Sequence, residues 1–414
     1  MSGEKGNLSR RDFIKAAGAA GIGATLIPLG PSSFSHGSTP AKAPEQIAVP
    51  LRPFGKSGVS VPILSLGGVL NATDQLIFRQ AFKSGVTYWD TADSYGWGNN
   101  EKAIGSYFAK FPSDRASVFL ATKSSASSAK ELSDKLNTSL QRMNTSFIDL
   151  YLIHYISDAK TELTNEVKAW AENAKSKGKI RFFGFSSHKN MENSMLAAAK
   201  LGWIDGIMMS YNYRLMVKDE MKRAVDACAR VGIGLTAMKT QAAFSANFYA
   251  SIGSETDDAL KMTENFLKNG YTTEQAKLKV VWQNPNIASI CSAMPNMTIL
   301  QANIEAALNR TPLSKADGQR LRRYAHETAS GYCAGCATIC ESTVDRPIPI
   351  SDLLRGSMYY YSYGCRDLAK SLFKTLPTDV ASNVFKTDFT LAEKCCPQKI
   401  QIGKVLKKAV EDLA

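Results

Sequence analysis

Residues 147–186 read FIDLYLIHYISDAKTELTNEVKAWAENAKSKGKIRFFGFS, and this stretch decides the fold. Two short β-rich runs, FIDLYLIH and IRFFGFS, flank a longer run in which apolar residues recur with the spacing of an amphipathic helix. A strand, a helix and a second strand in this order predict two parallel neighbouring strands joined by a crossover helix.

The same alternation of strand and helix recurs eight times between residue 60 and about residue 310. Eight units over about 250 residues predict a (β/α)8 TIM barrel, a parallel sheet closed on itself. A doubly wound open sheet is the competing interpretation. It calls for a glycine-rich phosphate turn after the first strand, and SLGGVLN lacks the G-x-G-x-x-G spacing. In such a barrel the chemistry lies at the carboxyl ends of the strands.

The first 43 residues have the features of an export signal. SRRDFIK, residues 9–15, resembles the bacterial twin-arginine motif at every consensus position, and a short apolar run follows over residues 16–29. An uncleaved anchor with an ordinary basic start is the alternative. We predict a twin-arginine signal peptide at 1–43, a barrel at 44–312 and a helical C-terminal segment at 313–414. The motif implies export to the periplasm by the twin-arginine pathway.

Charge and hydropathy exclude two classes of partner. The net charge is +13, and residues 1–43 carry five Lys/Arg and two Asp/Glu, so the remainder carries +10. These charges are dispersed, which indicates a solvated basic surface and no nucleic-acid partner. After the signal no apolar stretch is long enough to span a bilayer.

Polar side chains follow three neighbouring strands at the predicted carboxyl end of the barrel. Asp90 and Tyr95 follow the second strand in WDTADSYG, Lys123 ends the third in FLATK, and His154 ends the fourth in LYLIH. The ordinary pKa of a tyrosine is about 10. A nearby ammonium lowers that pKa, an aspartate holds the ammonium, and a histidine orients a carbonyl. Together they predict protonation of a carbonyl oxygen as hydride reaches its carbon.

These three motifs, in this order and at these strand ends, resemble the aldo-keto reductase family over roughly residues 50–310. The resemblance implies that Tyr95 is the general acid/base, Lys123 its pKa modifier, Asp90 the partner of that lysine and His154 the substrate orienter. It further implies a nicotinamide cofactor, NAD(P)(H), and a small carbonyl or alcohol substrate. GFSSHKN resembles the family's carboxamide site, which makes Ser186 and Ser187 the cofactor-binding residues.

The cofactor side departs from the family pattern. The family usually places Gln where this chain has Met208, and an aromatic or K-P-L pattern where it has Met238 and AMKTQAAF. No basic residue occurs in residues 291–309, where the family places a Lys or Arg for the 2′-phosphate of NADP. NADPH preference is therefore not indicated. NAD(H), a tightly retained cofactor and no nicotinamide remain open.

Six of the eight cysteines lie in the last 82 residues, which indicates chemistry there that the barrel lacks. Cys333, Cys336 and Cys340 are spaced C-x2-C-x3-C, and Cys396 directly precedes a proline, as in ferredoxin-type ligation. The tail resembles the C-terminal iron–sulfur segment of exported aldo-keto-reductase-like proteins. That resemblance implies one [4Fe–4S] cluster on these four thiolates. Structural zinc, disulfides, and Cys365 or Cys395 as fourth ligand are the alternatives.

Three functions follow from these observations. The first is an exported oxidoreductase that interconverts a carbonyl and an alcohol with a nicotinamide, its cluster being structural or exchanging electrons with a redox partner. The second is a barrel without nicotinamide use that serves as an iron–sulfur electron-transfer or binding module. The third is acid/base chemistry, such as elimination, by the same Tyr–Lys pair.

Overall fold

The computed structural model describes residues 48–69, 73–253 and 270–414. The predicted twin-arginine peptide at 1–43 lies outside these ranges. Residues 254–269, between the seventh and eighth barrel strands, also lie outside them. Within the described ranges every helix is too short or too polar to cross a bilayer.

An antiparallel hairpin precedes the barrel and closes its amino-terminal end. Strands β1 (Leu51–Pro53) and β2 (Ser60–Pro62) pair with each other, and the Phe54 ring between them is fully buried. A Cβ on Gly206 or Gly234, each at the start of a barrel strand, would lie 2.7 Å from this ring. Only glycine therefore lets these two strands lie so close to Phe54. The carboxyl end of the barrel, called the barrel mouth below, lies opposite this hairpin.

Eight parallel strands close into a barrel, as predicted, and every strand pairs with the next in chain order. The last strand returns to the first, with Ile290 opposite Leu64, so the sheet has no free edge. The strands are β3 (Leu64–Gly67), β4 (Tyr88–Asp90), β5 (Phe119–Ser124), β6 (Ile148–Ile153), β7 (Ile180–Ser187), β8 (Gly206–Ser210), β9 (Gly234–Met238) and β10 (Ser289–Ala293).

Helices connect the barrel strands, and their apolar faces pack on the sheet in one large hydrophobic core. Most begin with a side chain that caps the first turn, as Ser128 and Thr164 do. The helices of this part are Gln75–Lys83, Asn99–Lys110, Ala129–Arg142, Ala159–Glu162, Asn165–Ser176, Met191–Leu201, Asp219–Arg230, Ala246–Ser251, Thr273–Trp282 and Met297–Leu308.

The C-terminal segment is helical and has a second hydrophobic core of its own. We call Ile350–Tyr361 the roof helix, because it lies over the barrel mouth as described below. The boundary at 312/313 stays a prediction, since buried residues such as Leu321 and Tyr332 belong to the core of the barrel. The helices are Lys315–Glu327, Ala337–Cys340, Ile350–Tyr361, Arg366–Lys374, Thr378–Lys386, Thr390–Cys395 and Ile402–Leu413.

The last helix, Ile402–Leu413, buries one apolar stripe. The amphipathic pattern would suit docking against the barrel, but the stripe joins the second core together with Leu353 and Phe373. Phe248 and Tyr249, from the segment after β9, also contribute to this core. The stripe therefore holds the tail helices together, because neighbouring tail helices offer the apolar surface that it needs.

Candidate functional site

Asp90, Lys123, His154 and Tyr95 come together at the carboxyl ends of β4, β5 and β6. The Lys123 ammonium nitrogen lies 2.6 and 2.8 Å from the two Asp90 carboxylate oxygens and 2.7 Å from the carbonyl oxygen of Thr91. Backbone bonds hold the strand ends in place, since the His154 amide donates to the Ser124 carbonyl at 2.8 Å. Both partners of the ion pair are buried.

Tyr95 begins a short turn, Tyr95–Gly98, directly after β4. The Lys123 nitrogen lies 4.9 Å from the centroid of the Tyr95 ring, and the His154 ring meets it edge-on at 5.9 Å. Burial raises the pKa of Tyr95 well above its ordinary value, and the Asp90 charge raises it further. The Lys123 ammonium donates to the Asp90 carboxylate and to the Thr91 carbonyl, and its expected lowering of the Tyr95 pKa stays a prediction. Tyr95 is a protonated phenol at neutral pH.

His154 is a neutral imidazole in this site. Burial lowers its pKa well below the ordinary value, and the positive charges of Lys123, Arg355 and Lys239 lower it further. A neutral imidazole keeps one donor and one acceptor nitrogen. His154 is therefore suited to orient a polar oxygen beside Tyr95 rather than to supply a charge.

Ser186 and Ser187, the predicted carboxamide ligands, are fully buried in β7. The Tyr155 amide donates to the Ser186 hydroxyl at 3.4 Å, and the Ser187 hydroxyl donates to the Lys189 carbonyl at 3.2 Å. Local backbone groups therefore already bind both hydroxyls. Met208 lies inside the barrel and is 1% exposed.

The C-terminal segment lies over the ends of β7 and β8. The Asn190 amide donates to the Gly335 carbonyl at 2.7 Å, and the Asn212 side-chain amide donates to the Tyr332 hydroxyl at 2.8 Å. Gly335 has a φ of +82°, and a Cβ there would lie 2.3 Å from the His188 carbonyl oxygen. The glycine within the cysteine motif thus lets the tail rest directly on the barrel.

A narrow cavity lies between the barrel mouth and this segment. The barrel lines it with His188, Ser210 and Lys239, and the tail lines it with the segment 332–335, Ser351, Arg355 and Met358. Sequence reasoning missed Lys239, although its place directly after β9 marks it as a strand-end residue. It also missed Arg355, because nothing local in the tail relates that residue to the barrel.

Cys291 is a further residue that the sequence did not assign. Cys291 lies on β10, and its thiol is hydrogen-bonded to the carboxyl group of Asp90 at the end of β4. Burial is the main cause that raises the pKa of this thiol, so it stays protonated and donates to the carboxylate. Cys291 thus helps to hold Asp90 in place.

Cys333, Cys336, Cys340 and Cys396 line one pocket at the core of the tail. All eight cysteines of the chain are free thiols, so no disulfide competes for these four. Cys395 points to solvent, and Cys365 does not line the pocket. Within the described residues, no three His, Cys, Asp or Glu side chains are grouped closely enough to hold a metal ion.

Burial governs the protonation of these thiols. It raises the pKa of Cys333 to about 11 and that of Cys340 to about 12, and it raises the pKa of Cys336 as well. The four sulfurs also influence one another, because each further negative charge raises the pKa of its neighbours. Cys333, Cys336 and Cys340 are therefore thiols in the metal-free protein, and metal binding would release their protons.

The comparisons with known proteins agree with this geometry. Residues 67–325 match the aldo/keto reductase family, and residues 7–26 match the signal sequence of the twin-arginine translocation pathway, which directs export by that pathway. An aldo-keto reductase from Bacillus halodurans in its holo form superposes with a TM-score of 0.56 at 23% identity, covering 67% of this chain and 96% of that one.

Two relatives with known sequences are similar over the barrel. An aldo-keto reductase of Fusarium vanettenii is 28% identical over 45% of this chain, and the match spans only 62% of that protein. The uncharacterized oxidoreductase YqkF of Bacillus subtilis is 26% identical over 62% of this chain and 90% of its own. Since the family match covers more than half of the 414 residues, the chain belongs to the aldo/keto reductase family.

Proposed function

We propose that the protein is an oxidoreductase that interconverts a small carbonyl compound and an alcohol, with an accessory [4Fe–4S] cluster in its tail. The observation that carries this proposal is the convergence of Tyr95 with Lys123, Asp90 and His154 at the barrel mouth. Family membership supports the same class of reaction.

The proposed roles follow from the protonation states. Tyr95 keeps its proton at neutral pH and donates it to the carbonyl oxygen when charge develops there. His154, held neutral, orients that oxygen by a hydrogen bond. Lys123 places a positive charge beside the Tyr95 ring, which stabilises the phenolate left after proton transfer. Asp90 holds the ammonium in this position.

The test is turnover of small aldehydes, ketones and sugars, with NADH, NADPH or reduced methyl viologen as electron donors. Replacing Tyr95→Phe removes only the transferred proton, so we expect a loss of about 10²–10⁴-fold in turnover. Tyr360→Phe is the matched control, since that hydroxyl lies on the roof helix outside the site. Equal turnover by wild type and Tyr95→Phe would contradict the proposed role.

We further propose that Cys333, Cys336, Cys340 and Cys396 hold the [4Fe–4S] cluster. Support comes from the single pocket that all four line, from their free thiols and from the exposure of Cys395. The thiols of a zinc site all bind one ion at about 2.3 Å, so they lie close together. In a cubane each cysteine binds a different iron, which suits thiols spread around a pocket. When bound, the cluster supplies one-electron chemistry or rigidity.

Metal analysis with a visible spectrum of the protein isolated after export tests this assignment. We expect about four iron atoms per chain together with sulfide, and the broad visible absorbance of a cluster. If the protein contains zinc and no iron, the four cysteines form a structural zinc site and not a cluster site. If the protein contains neither metal and its thiols react freely under denaturing conditions, the proposed metal centre is rejected.

The residues at the ends of β7–β9 do not fit an extended nicotinamide dinucleotide in this arrangement. Ser186 and Ser187 each hydrogen-bond to the local backbone, the tail covers the neighbouring strand ends, and the cavity that remains there is narrow. No step is therefore assigned to the nicotinamide. This misfit favours a second candidate function, in which the barrel binds no nicotinamide and the cluster transfers electrons.

Calorimetry with NAD(H) and NADP(H) separates the two candidates. Binding of either nucleotide, together with turnover that depends on it, supports a nicotinamide-using reductase. No nucleotide binding, combined with turnover from reduced methyl viologen alone, supports electron supply through the cluster and a redox partner. The twin-arginine route carries folded proteins, so we propose that the cluster assembles before export and that the mature protein resides in the periplasm.

A further inference from the structure

Lys239 brings a side-chain amino group without an acidic partner to the barrel-mouth cavity. It directly follows β9 and has a φ of 56°, a left-handed conformation that only a few residue types adopt easily. Within the described residues its side-chain nitrogen has no acidic partner within ion-pair distance, and it lies 4.5 Å from the centroid of the Tyr359 ring. Burial lowers the pKa of Lys239, and the charge of Arg355 lowers it further.

Arg355 adds a positive charge from the roof helix. One of its nitrogens lies 2.9 Å from an oxygen of Asp352, while the other oxygen of the same carboxylate lies 3.1 Å from the Lys189 ammonium. The Arg355 Nε is buried without a hydrogen-bond partner. Arg355 and Lys189 thus share the Asp352 carboxylate, which leaves the Arg355 Nε and the Lys239 amino group beside the cavity without an acidic partner among the described residues.

This cationic cavity adjoins the catalytic residues. The Arg355 guanidinium lies 5.5 Å from the centroid of the Tyr155 ring, and that ring stacks on His154 at 3.6 Å. Tyr359, one turn after Arg355 on the roof helix, is close enough to Tyr95 for its charge to affect the pKa of Tyr95. The roof helix therefore covers the barrel mouth with Arg355 toward the cavity and Tyr359 toward the tetrad.

We propose that Lys239 and Arg355 bind the carboxylate or phosphate group of an anionic substrate, whose carbonyl or alcohol carbon then lies between Tyr95 and His154. A bound anion gives the Lys239 side chain and the unpartnered Arg355 Nε a partner through charge-assisted hydrogen bonds. The planar guanidinium suits the two oxygens of such a group. The substrate class rests on the proposed carbonyl chemistry, whereas the anion site rests on the cavity alone.

A second source of negative charge is the cluster itself. Cys333 lines both the cavity and the four-cysteine pocket, so a cluster on four thiolates would also attract Lys239. A substrate-anion site and a role in balancing the cluster charge predict different experimental results. An anion site changes ligand binding when Lys239 loses its charge, while a role in charge balance changes only the reduction potential of the cluster.

Calorimetry on the cluster-loaded protein tests the proposal with 4-(hydroxymethyl)benzoate and its methyl ester, which differ only in the charged group. We expect the acid to bind at least about tenfold more tightly than the ester. Lys239→Asn should remove most of this preference, and asparagine tolerates the left-handed backbone of that position. Lys222→Asn, at an exposed lysine paired with Asp219, is the matched control and should keep the preference. Phenyl phosphate in place of the benzoate distinguishes a phosphate site from a carboxylate site.

Equal binding of acid and ester by the wild type would overturn the proposal. So would a preference that persists in both Lys239→Asn and Arg355→Gln, or a Lys239→Asn variant that shifts only the cluster potential. Loss of NAD(H) binding in Lys239→Asn, without any acid preference in the wild type, would assign the cations to the dinucleotide instead. Tight binding of the acid with no turnover of any carbonyl compound would keep the anion site and reject the proposed function.

Discussion

The barrel mouth and the four-cysteine pocket lie on two sides of the same short segment, around Cys333 and Ala334, yet the chain builds them differently. At the mouth, Asp90, Lys123 and His154 each end or follow a strand, and neighbouring strands bring them together. In the tail, Cys340 and Cys396 meet only after several helices have packed around a separate core.

This difference teaches where each site obtains its stability. The strands fix the position of the mouth residues, and the barrel core exists without any bound group. The cysteine pocket is a cavity inside a small helical core, and small cores gain much of their stability from a bound metal group. Losing a residue of the barrel mouth should therefore leave the iron content of the tail unchanged, whereas losing a cysteine of the pocket should remove the iron.

Cys396→Ser should produce the largest effect. The change removes the ligand that closes the pocket from the far end of the tail, so we expect loss of most of the iron and of the visible absorbance, with the barrel still folded. Iron analysis and circular dichroism measure both. Cys395→Ser, at the exposed neighbouring cysteine, is the control and should keep the iron. Loss of iron in Cys395→Ser but not in Cys396→Ser would make Cys395 the fourth ligand.

Lys123→Met tests the barrel side of the comparison. Without its ammonium the Asp90 carboxylate, 3% exposed, would lose its ionic partner, so the free energy of unfolding should fall by about 3–5 kcal/mol. Urea denaturation measures this, and the iron content should not change. Lys130→Met breaks an exposed surface pair with Asp134 and should leave the free energy of unfolding essentially unchanged. Equal losses in both variants would show that Lys123 and Asp90 contribute no more than a surface pair.

Gly335→Ala tests the contact between the two regions and should have the smallest effect. The added Cβ meets the His188 carbonyl, and alanine disfavours a φ of +82°, so we expect a cost of about 1–3 kcal/mol. Limited proteolysis should then cut the tail faster while the barrel resists. Gly318→Ala, in the helix Lys315–Glu327 with open space around it, should stabilise slightly. Unchanged proteolysis would mean that this contact does not hold the tail.

Much of the barrel could be predicted because its information is local. The alternation of strand and helix patterns predicted eight parallel strands, and strand ends such as Lys123 and His154 marked the candidate site. The raised pKa of Tyr95 could not be predicted from the pattern, because it depends on the burial of the ring and on the nearby Asp90 charge. Burial of that kind is absent from a local pattern.

The sequence by itself therefore determined the barrel, the family, the export signal and the residue types of both sites, because periodicity and motif spacing are written along the chain. Only the tertiary structure decided that the tail covers β7 and β8, that Ser186 and Ser187 are already bound, and that Arg355 faces the same cavity as Lys239. These relations join residues far apart in the chain, and only the packing of the tail helices on the barrel brings them within contact distance.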